Sequence, residues 1–310
     1  MRAVSADEID RLLDYPGLIA AIREAFAGAV FAPARHHHMI NRPGAEAILI
    51  LMPAWLEAGG FIGVKIVSVF PDNALRAKPS VMGTYLLLAG DSGEPLATFD
   101  GMALTLWRTA ATSALVSASL ARPDAYRLAM IGAGALAPRL IAAHASVRPI
   151  SEVVIWNRTI EKAEHLARKL HRPGFRVVAT DDVHAAVAAA DIVSVATLSP
   201  EPLIRGAWLK PGTHVDLVGA YTPAMREADD DAIRRATVYV DTRGGMKESG
   251  DIAGPLASGA LTEAAIAGDL HDIARPGAVK RRSAKEITLF KSVGNAIEDL
   301  AAAVAVWRRL

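Results

Sequence analysis

From Tyr126 to Asp241 the chain alternates short apolar runs with amphipathic stretches. The runs are Leu128–Ile131, Val153–Trp156, Phe175–Val178, Ile192–Ala196, His214–Val218 and Val238–Asp241, with helical patterns between them at Thr159–Leu170 and Asp182–Ala190. Strands separated by crossover helices predict an α/β fold, a Rossmann-type doubly wound parallel sheet. The N-terminal third reads differently. Ser5, with Glu8 three positions on, predicts a capped first helix. Tyr15–Phe31 reads as a second helix. Ala47–Met52, Phe61–Phe70 and Thr84–Leu88 are strand-like, punctuated by Gly59-Gly60, Pro71–Asn73 and Asp91–Gly93. Asp100 then caps a helix that runs to Leu120, where Ala121–Asp124 breaks it. A last helix, near Ser292–Arg309, follows a loop and is expected to return to the first domain. The expected organisation is a β-rich α+β domain over 1–120, joined by 296–310, and a dinucleotide-binding domain over 121–295.

The turn after the first of the parallel strands carries the strongest chemical signal. Gly132-Ala133-Gly134-Ala135-Leu136-Ala137 has the spacing G-x-G-x-x-A between a strand and a helix. Gly132 permits the tight turn, Gly134 lets backbone approach a pyrophosphate, and Ala137 allows close packing. The helix N-terminus adds unpaired N–H groups and a positive dipole end. The next strand ends in Asn157-Arg158-Thr159, without the carboxylate that accepts hydrogen bonds from a ribose 2′-OH. Arg158 is a charged fork suited to a phosphate, and Asn157 and Thr159 can add neutral hydrogen bonds. The expected cofactor is NADPH, with NADH as the alternative. Ala196-Thr197 and Val218-Gly219, at later strand ends, should border it in the crevice.

Composition narrows the remaining classes. The chain has 310 residues, no cysteine and a formal net charge of +1. Its length accommodates two cores. The charge balance gives no reason to expect a nucleic-acid partner. Without cysteine there are no disulfides, no thiolate catalysis and no cysteine-ligated zinc. The N-terminus is charged and amphipathic, unlike a signal sequence, and no apolar run is long enough to span a bilayer. A cytoplasmic enzyme without a membrane partner is expected. His36-His37-His38 would alternate faces on a strand, so no metal site is expected there. Lys65 lies inside the apolar run Ile62–Phe70, and Arg108 stands among small apolar residues of a helix. Burying either requires an anion. Thr112 and Ser113, one turn beyond Arg108, offer hydroxyls to a phosphate or carboxylate.

Six separated phrases together resemble the ornithine cyclodeaminase/mu-crystallin family. They are Met52-Pro53, Gly63-Val64-Lys65, Arg108–Ser113, Ile131–Gly134, Val218-Gly219 with Pro223 and Glu227, and Ile287–Gly294. The resemblance implies a homodimer whose β-rich domains pair. It implies that Lys65 and Arg108 are catalytic and grip a substrate carboxylate, and that Arg108 also reaches the cofactor. Arg35 would grip the same carboxylate, Met52 would line the pocket, and Ser80 would stand near it. Lys291, Ser292, Val293 and Gly294 would close over the nicotinamide. Where the family's cyclodeaminases carry an aspartate two positions beyond the Val-Gly pair, this chain has Tyr221. A tyrosine, with its high resting pKa, is a poor substitute for that acid. Gly219–Glu227 resembles instead the Δ1-pyrroline-2-carboxylate reductase branch. The implied activity is reduction of a preformed cyclic ketimine carboxylate to L-proline or L-pipecolate. The alternatives are an ornithine cyclodeaminase, an alanine dehydrogenase, or a binding protein like mu-crystallin.

Overall fold

Ser5 starts the first helix as its spacing from Glu8 requires. A computed structural model describes residues 1–42, 46–57, 59–277 and 279–310. It divides into one unit of Met1–Arg108 with Asn295–Leu310 and another of Thr109–Gly294. In the first unit, strand β1 (Arg2–Val4) leads into helix α1 (Ala6–Leu12). Ser5 Oγ accepts the Glu8 N–H, and Glu8 accepts the Ser5 N–H at 3.0 Å. Helix α2 (Tyr15–Ala27) is capped by Asp14 and ends short of the expected Phe31. Gly28 ends it, and Val30–Phe31 form strand β2 instead. A β-branched residue beside an aromatic one packs better on a sheet than in a further helical turn.

Strands β3 (His36–Ile40), β4 (Ala47–Leu56), β5 (Phe61–Val69), β6 (Val81–Ala89) and β7 (Pro95–Asp100) follow. They build a seven-stranded sheet in the order β1-β7-β6-β5-β4-β2, with β3 also on β4. All pairs are antiparallel except β1 on β7. Helix α3 (Gly101–Leu120) begins where Asp100 Oδ1 accepts the N–H groups of Met102 and Ala103 at 3.0 and 2.8 Å. Its residues through Arg108 belong to the first unit and the rest to the second.

The second unit strings together β8 (Arg127–Ile131), α4 (Ala137–Val147), β9 (Glu152–Trp156), α5 (Ile160–Leu170), β10 (Arg176–Thr180), α6 (Val183–Ala189), β11 (Ile192–Val195), β12 (His214–Leu217), α7 (Asp230–Arg235), β13 (Thr237–Val240), α8 (Gly250–Ser258), α9 (Leu270–Ala274) and β14 (Thr288–Lys291). Its seven strands are all parallel, in the order β10-β9-β8-β11-β12-β14-β13. Strand β14 is absent from the sequence reading. It is only Thr-Leu-Phe-Lys, wholly buried between β12 and β13, and so short an apolar run has no period to betray it. The chain winds outward from β8 through β9 to β10, then returns to lay β11 on the other side of β8. That reversal opens a crevice at the carboxyl ends of β8 and β11, the general ligand position of such sheets.

Helix α10 (Ala296–Trp307) completes the first unit, packed on α2 and on β4, β5 and β6. Its sequence, AIEDLAAAVAVW, is apolar on nearly every face, and all but Ala305 and Trp307 are buried. The exceptions in chemistry are Glu298 and Asp299, both 0% exposed. Among the described residues no helix is long and apolar enough to cross a membrane.

Candidate active site

The crevice of the second unit is a cleft of about 330 Å³. Gly132, Ala133, Gly134, Asn157, Arg158, Thr159, Ala196 and Thr197 line it, together with Lys162, which sequence reading missed. Gly132 has φ +112°, and a Cβ there would lie 2.5 Å from the Ala196 carbonyl oxygen. A Cβ on Gly134 would meet nothing within 4 Å. The first glycine is therefore needed by the fold, and the second faces open space. Ala135 and Leu136 lead into α4, and Leu136, at its N-cap, gives no side-chain bond to the helix. This N-terminus suits a pyrophosphate, and the residues present fit a nicotinamide dinucleotide.

The strand-end trio divides its work. Asn157 Oδ1 accepts the Ala133 N–H at 3.2 Å, and its Nδ2 donates to the Thr159 carbonyl at 2.8 Å. Asn157 thus braces the glycine turn rather than offering its amide to a 2′-phosphate. Arg158 and Thr159 are exposed, and Thr159 caps no N–H of α5. Lys162, one turn on, adds a second cation at this end of the cleft.

Several other expected cofactor contacts are committed elsewhere. Ser113 is fully buried and donates to Asp216 Oδ1 at 2.9 Å. Asp216 also accepts from Ser194 at 2.8 Å and meets His144 Nε2 at 3.2 Å, while Ser117 lies 2.9 Å from His144 Nδ1. Burial alone would raise the Asp216 carboxyl, but His144 and Ser194 hold it below the usual range. This serine–histidine–aspartate group is sealed from solvent, so it fastens α3 and α4 to the sheet. Thr112 is also 0% exposed, but its hydroxyl has no hydrogen-bond partner among the described residues.

Lys291 does not form a lid. Its Nζ lies 3.1 Å from Asp251 and 3.7 Å from Glu227, with both acids 0% exposed. Glu227 accepts the Thr197 N–H at 2.7 Å, the Thr197 hydroxyl at 3.0 Å, and the Gly219 and Ala220 N–H groups at 2.8 and 3.2 Å. Burial pushes the Glu227 carboxyl upward and Lys291 opposes it. Glu227 thereby joins the loops that follow β11 and β12, beneath the cleft. Gly219 is pressed so closely that a Cβ would lie 1.9 Å from the Thr197 oxygen. Val218 N–H donates to Val195, and Ser292 N–H to Leu217, as continuations of the sheet. Val293 and Gly294 donate their N–H groups to Asp241 Oδ2 at 2.6 and 2.7 Å. Gly294 has φ +86°, and the loop is clamped there. Tyr221 is 45% exposed.

The first unit holds a separate cluster. Lys65 on β5 stands directly opposite Met52 on β4 and Tyr85 on β6. The β3–β4 register starts at His36 opposite Leu51, and Arg35 is the residue just before it. Met52, Lys65 and Tyr85 form one row across three strands. Ser80 falls outside it: five positions before Tyr85, it lies about 17 Å away along the strand. Its hydroxyl donates to the Pro71 carbonyl and closes the turn between β5 and β6.

The anions that Lys65 and Arg108 require are protein carboxylates. Lys65 Nζ is 2.7 Å from Asp299 Oδ2. Arg108 Nε donates to Asp299 Oδ1 at 3.1 Å, and its Nη1 to Glu298 Oε2 at 2.8 Å. Lys65 is 3% exposed and Arg108 6%. Burial pulls the Lys65 ammonium down to about 8, against the pull of Asp299 in the other direction, and Arg108 lowers it further. Sequence reading missed both acids. Their signal was two adjacent carboxylates in a helix otherwise apolar all round, which must either snorkel or be paired.

Tyr85 was missed too. It is 0% exposed, its hydroxyl has no hydrogen-bond partner among the described residues, and burial beside Asp299 raises its pKa well above the ordinary value. Its ring occupies the space over Gly63, where a Cβ would lie 1.9 Å from the Tyr85 hydroxyl. Gly63→Ala is expected to cost about 1–3 kcal/mol by overpacking. Thermal denaturation should show that loss, and Tyr85→Leu in the same chain should recover most of it. Equal losses with and without Tyr85→Leu would mean that the two do not compete for the space.

His36, His37 and His38 are exposed on β3, with the rings of His36 and His38 6.4 Å apart. Among the described residues no three His, Cys, Asp or Glu side chains are grouped to hold a metal.

A nucleotide crevice in one unit and a buried lysine–arginine–carboxylate cluster in the other agree with the family that the six phrases resemble. The profile of the ornithine cyclodeaminase/mu-crystallin family matches residues 4–310. The chain belongs to this family. It is 44% identical over 249 residues to the Δ1-pyrroline-2-carboxylate reductase of Paracoccus denitrificans, covering 80% of this chain and 78% of that one. It is 34% identical over 313 residues to the rat ketimine reductase mu-crystallin, covering 98% and 96%. The fold superimposes with a TM-score of 0.92 on the Thermococcus litoralis Δ1-pyrroline-2-carboxylate reductase in complex with NADH and L-proline, at 31% identity, covering 100% and 97% of the two chains.

Proposed function

We propose that this protein reduces a cyclic ketimine carboxylate, Δ1-pyrroline-2-carboxylate or Δ1-piperideine-2-carboxylate, to the cyclic L-amino acid, using a nicotinamide dinucleotide. The observation that carries the reading is the full-length similarity to the archaeal reductase that holds NADH and L-proline. The buried Lys65–Arg108 cluster supports it, as does Tyr221 where a cyclodeaminase would need an acid. Lys65 and Arg108, with Arg35 just before β3, bind the substrate carboxylate. An ammonium has three donors and a guanidinium five. Asp299 and Glu298 orient these cations and offset their burial, so they are held still before the substrate arrives. Met52, beside Lys65, gives the ring an apolar wall. Fixing the carboxylate also fixes the C=N carbon, and orientation of that kind supplies much of an enzymatic rate. When bound, the reduced nicotinamide supplies the hydride. The protein contributes position and field.

In the second unit, Gly132, Ala133, Gly134, Ala135 and Leu136 hold the pyrophosphate, with Ala196 and Thr197 on the facing wall. NADPH is the preferred form: Arg158 and Lys162 line the cleft beyond β9, and among its described lining residues there is no carboxylate to accept from a ribose 2′-OH. Arg158→Asp should lower the NADPH-to-NADH preference by about 10- to 100-fold, the worth of a charged hydrogen bond. The ratio of the two kcat/KM values reads this directly. An unchanged ratio would remove Arg158 from the phosphate site. The protein acts as a homodimer through the first unit, where Ile66 and Met82 are 39% and 41% exposed on one face of the sheet.

The test of the activity is consumption of NADPH or NADH with each imine, beside ammonia release from ornithine and oxidation of alanine. Turnover of a cyclic imine alone is expected. Ornithine or alanine turnover without imine turnover would replace this reading with cyclodeaminase or dehydrogenase chemistry. No turnover at all, with dinucleotide still bound, would leave a binding protein.

A further inference from the structure

Asp299 touches both cations of the cluster, one with each oxygen. Oδ2 is 2.7 Å from the Lys65 ammonium and Oδ1 is 3.1 Å from Arg108 Nε. It is 0% exposed and sits in the first turn of α10, where the helix dipole favours a negative charge. Glu298, beside it, meets Arg108 Nη1 at 2.8 Å and also accepts the Asn295 N–H at 3.2 Å through its other oxygen. Glu298 is thus tied to the helix cap and to Arg108, while Asp299 forms the 2.7 Å ion pair with Lys65.

We infer that Asp299 is the positioning residue of the reduction: with one oxygen on each cation, its carboxylate aims the Lys65 ammonium and holds it beside Arg108. This deepens the proposed function and rests on the reading of Lys65 as the essential cation. Every charged or titratable group packed around Lys65 enters the balance. Asp299 and Glu298 on α10 favour its charged form, while Arg108 on α3 opposes it. Tyr85 on β6, its cross-strand neighbour, is neutral. Without Asp299, two cations would face each other in a buried space, with Glu298 paired to Arg108. Like charges in such surroundings repel strongly. Lys65 would then lose its proton at lower pH and, as a neutral amine, no longer attract a carboxylate.

The experiment is the pH dependence of kcat/KM for imine reduction in the wild type and in Asp299→Asn, Asp299→Glu and Lys65→Arg. The guanidinium of Lys65→Arg does not titrate in this range, so its alkaline limb isolates the ionisation of the imine. In the wild type a further limb is expected near pH 8, from the lysine. Asp299→Asn should move that limb down by about one unit or more, a tenfold change in proton affinity. Asp299→Glu keeps the charge but displaces it by a methylene, so its limb should stay while kcat per folded molecule falls about tenfold or more. Thermal denaturation of each variant gives the folded fraction. If Asp299→Asn does not fold, the kcat of Asp299→Glu decides: a wild-type value per folded molecule would overturn the inference. So would a folded Asp299→Asn whose limb stays in place while Lys65→Met is inactive. If Lys65→Met itself keeps wild-type activity, the underlying reading of Lys65 fails instead.

Discussion

Lys65→Met is expected to lower kcat/KM for the cyclic imine by about 10²- to 10⁴-fold and to leave dinucleotide affinity unchanged. The range follows from removing the lysine's partner role to the substrate carboxylate in a buried site, about 3–5 kcal/mol, with each 1.36 kcal/mol worth a factor of ten in rate. Methionine keeps the length and apolar stem of the side chain, so the row between Met52 and Tyr85 stays filled. What disappears is the charge. Asp299 is left with Arg108 as its partner, and the guanidinium is drawn further into that pair. The substrate carboxylate then meets a cluster with two acids and one base instead of two of each. Steady-state kinetics with fluorescence titration of the reduced dinucleotide separates these effects. A rate within tenfold of wild type would show that Lys65 is a structural cation only.

The two glycines of the nucleotide turn should fail in different ways. Gly132→Ala places a Cβ 2.5 Å from the Ala196 carbonyl and forces an L residue to φ +112°. Both strains fall on backbone that has no slack. A loss of several kcal/mol of stability is expected, since overpacking costs about 1–3 kcal/mol and backbone strain about as much again. Gly134→Ala meets no atom of the protein within 4 Å. Its stability should match wild type, yet dinucleotide affinity should fall by about 10-fold or more, because the methyl group occupies the space left for the pyrophosphate. Thermal denaturation without ligand and titration with the reduced dinucleotide distinguish the pair. Equal affinity in Gly134→Ala and wild type would move the pyrophosphate away from this turn.

The contrast between these glycines also shows how far the chain could be read without its structure. The G-x-G-x-x-A spacing announces both residues, because a turn, a strand before it and a helix after it leave local traces. The parallel sheet was legible for the same reason, except for β14, whose four buried residues carry no period. The row Met52, Lys65 and Tyr85 was only partly legible. It depends on register between strands, and register is a long-range property: Ser80 looks close to the row in sequence and is removed from it by about half the length of β6. Partners separated by two hundred residues were the least legible. Arg108 clearly needed an anion, but nothing near it in sequence identified Asp299 or Glu298. The same holds for Lys291, which the resemblance put in a closing loop and whose actual partners, Asp251 on α8 and Glu227 in the loop after β12, come from elsewhere in the chain.

Isotope transfer tests the central claim most directly. With the nicotinamide C4 of NADPH or NADH deuterated on the transferred face, and Δ1-pyrroline-2-carboxylate as substrate, mass spectrometry should find one deuterium at the α-carbon of the L-proline formed. Proline without deuterium, or no proline while ornithine releases ammonia, would contradict direct reduction of the imine by this protein.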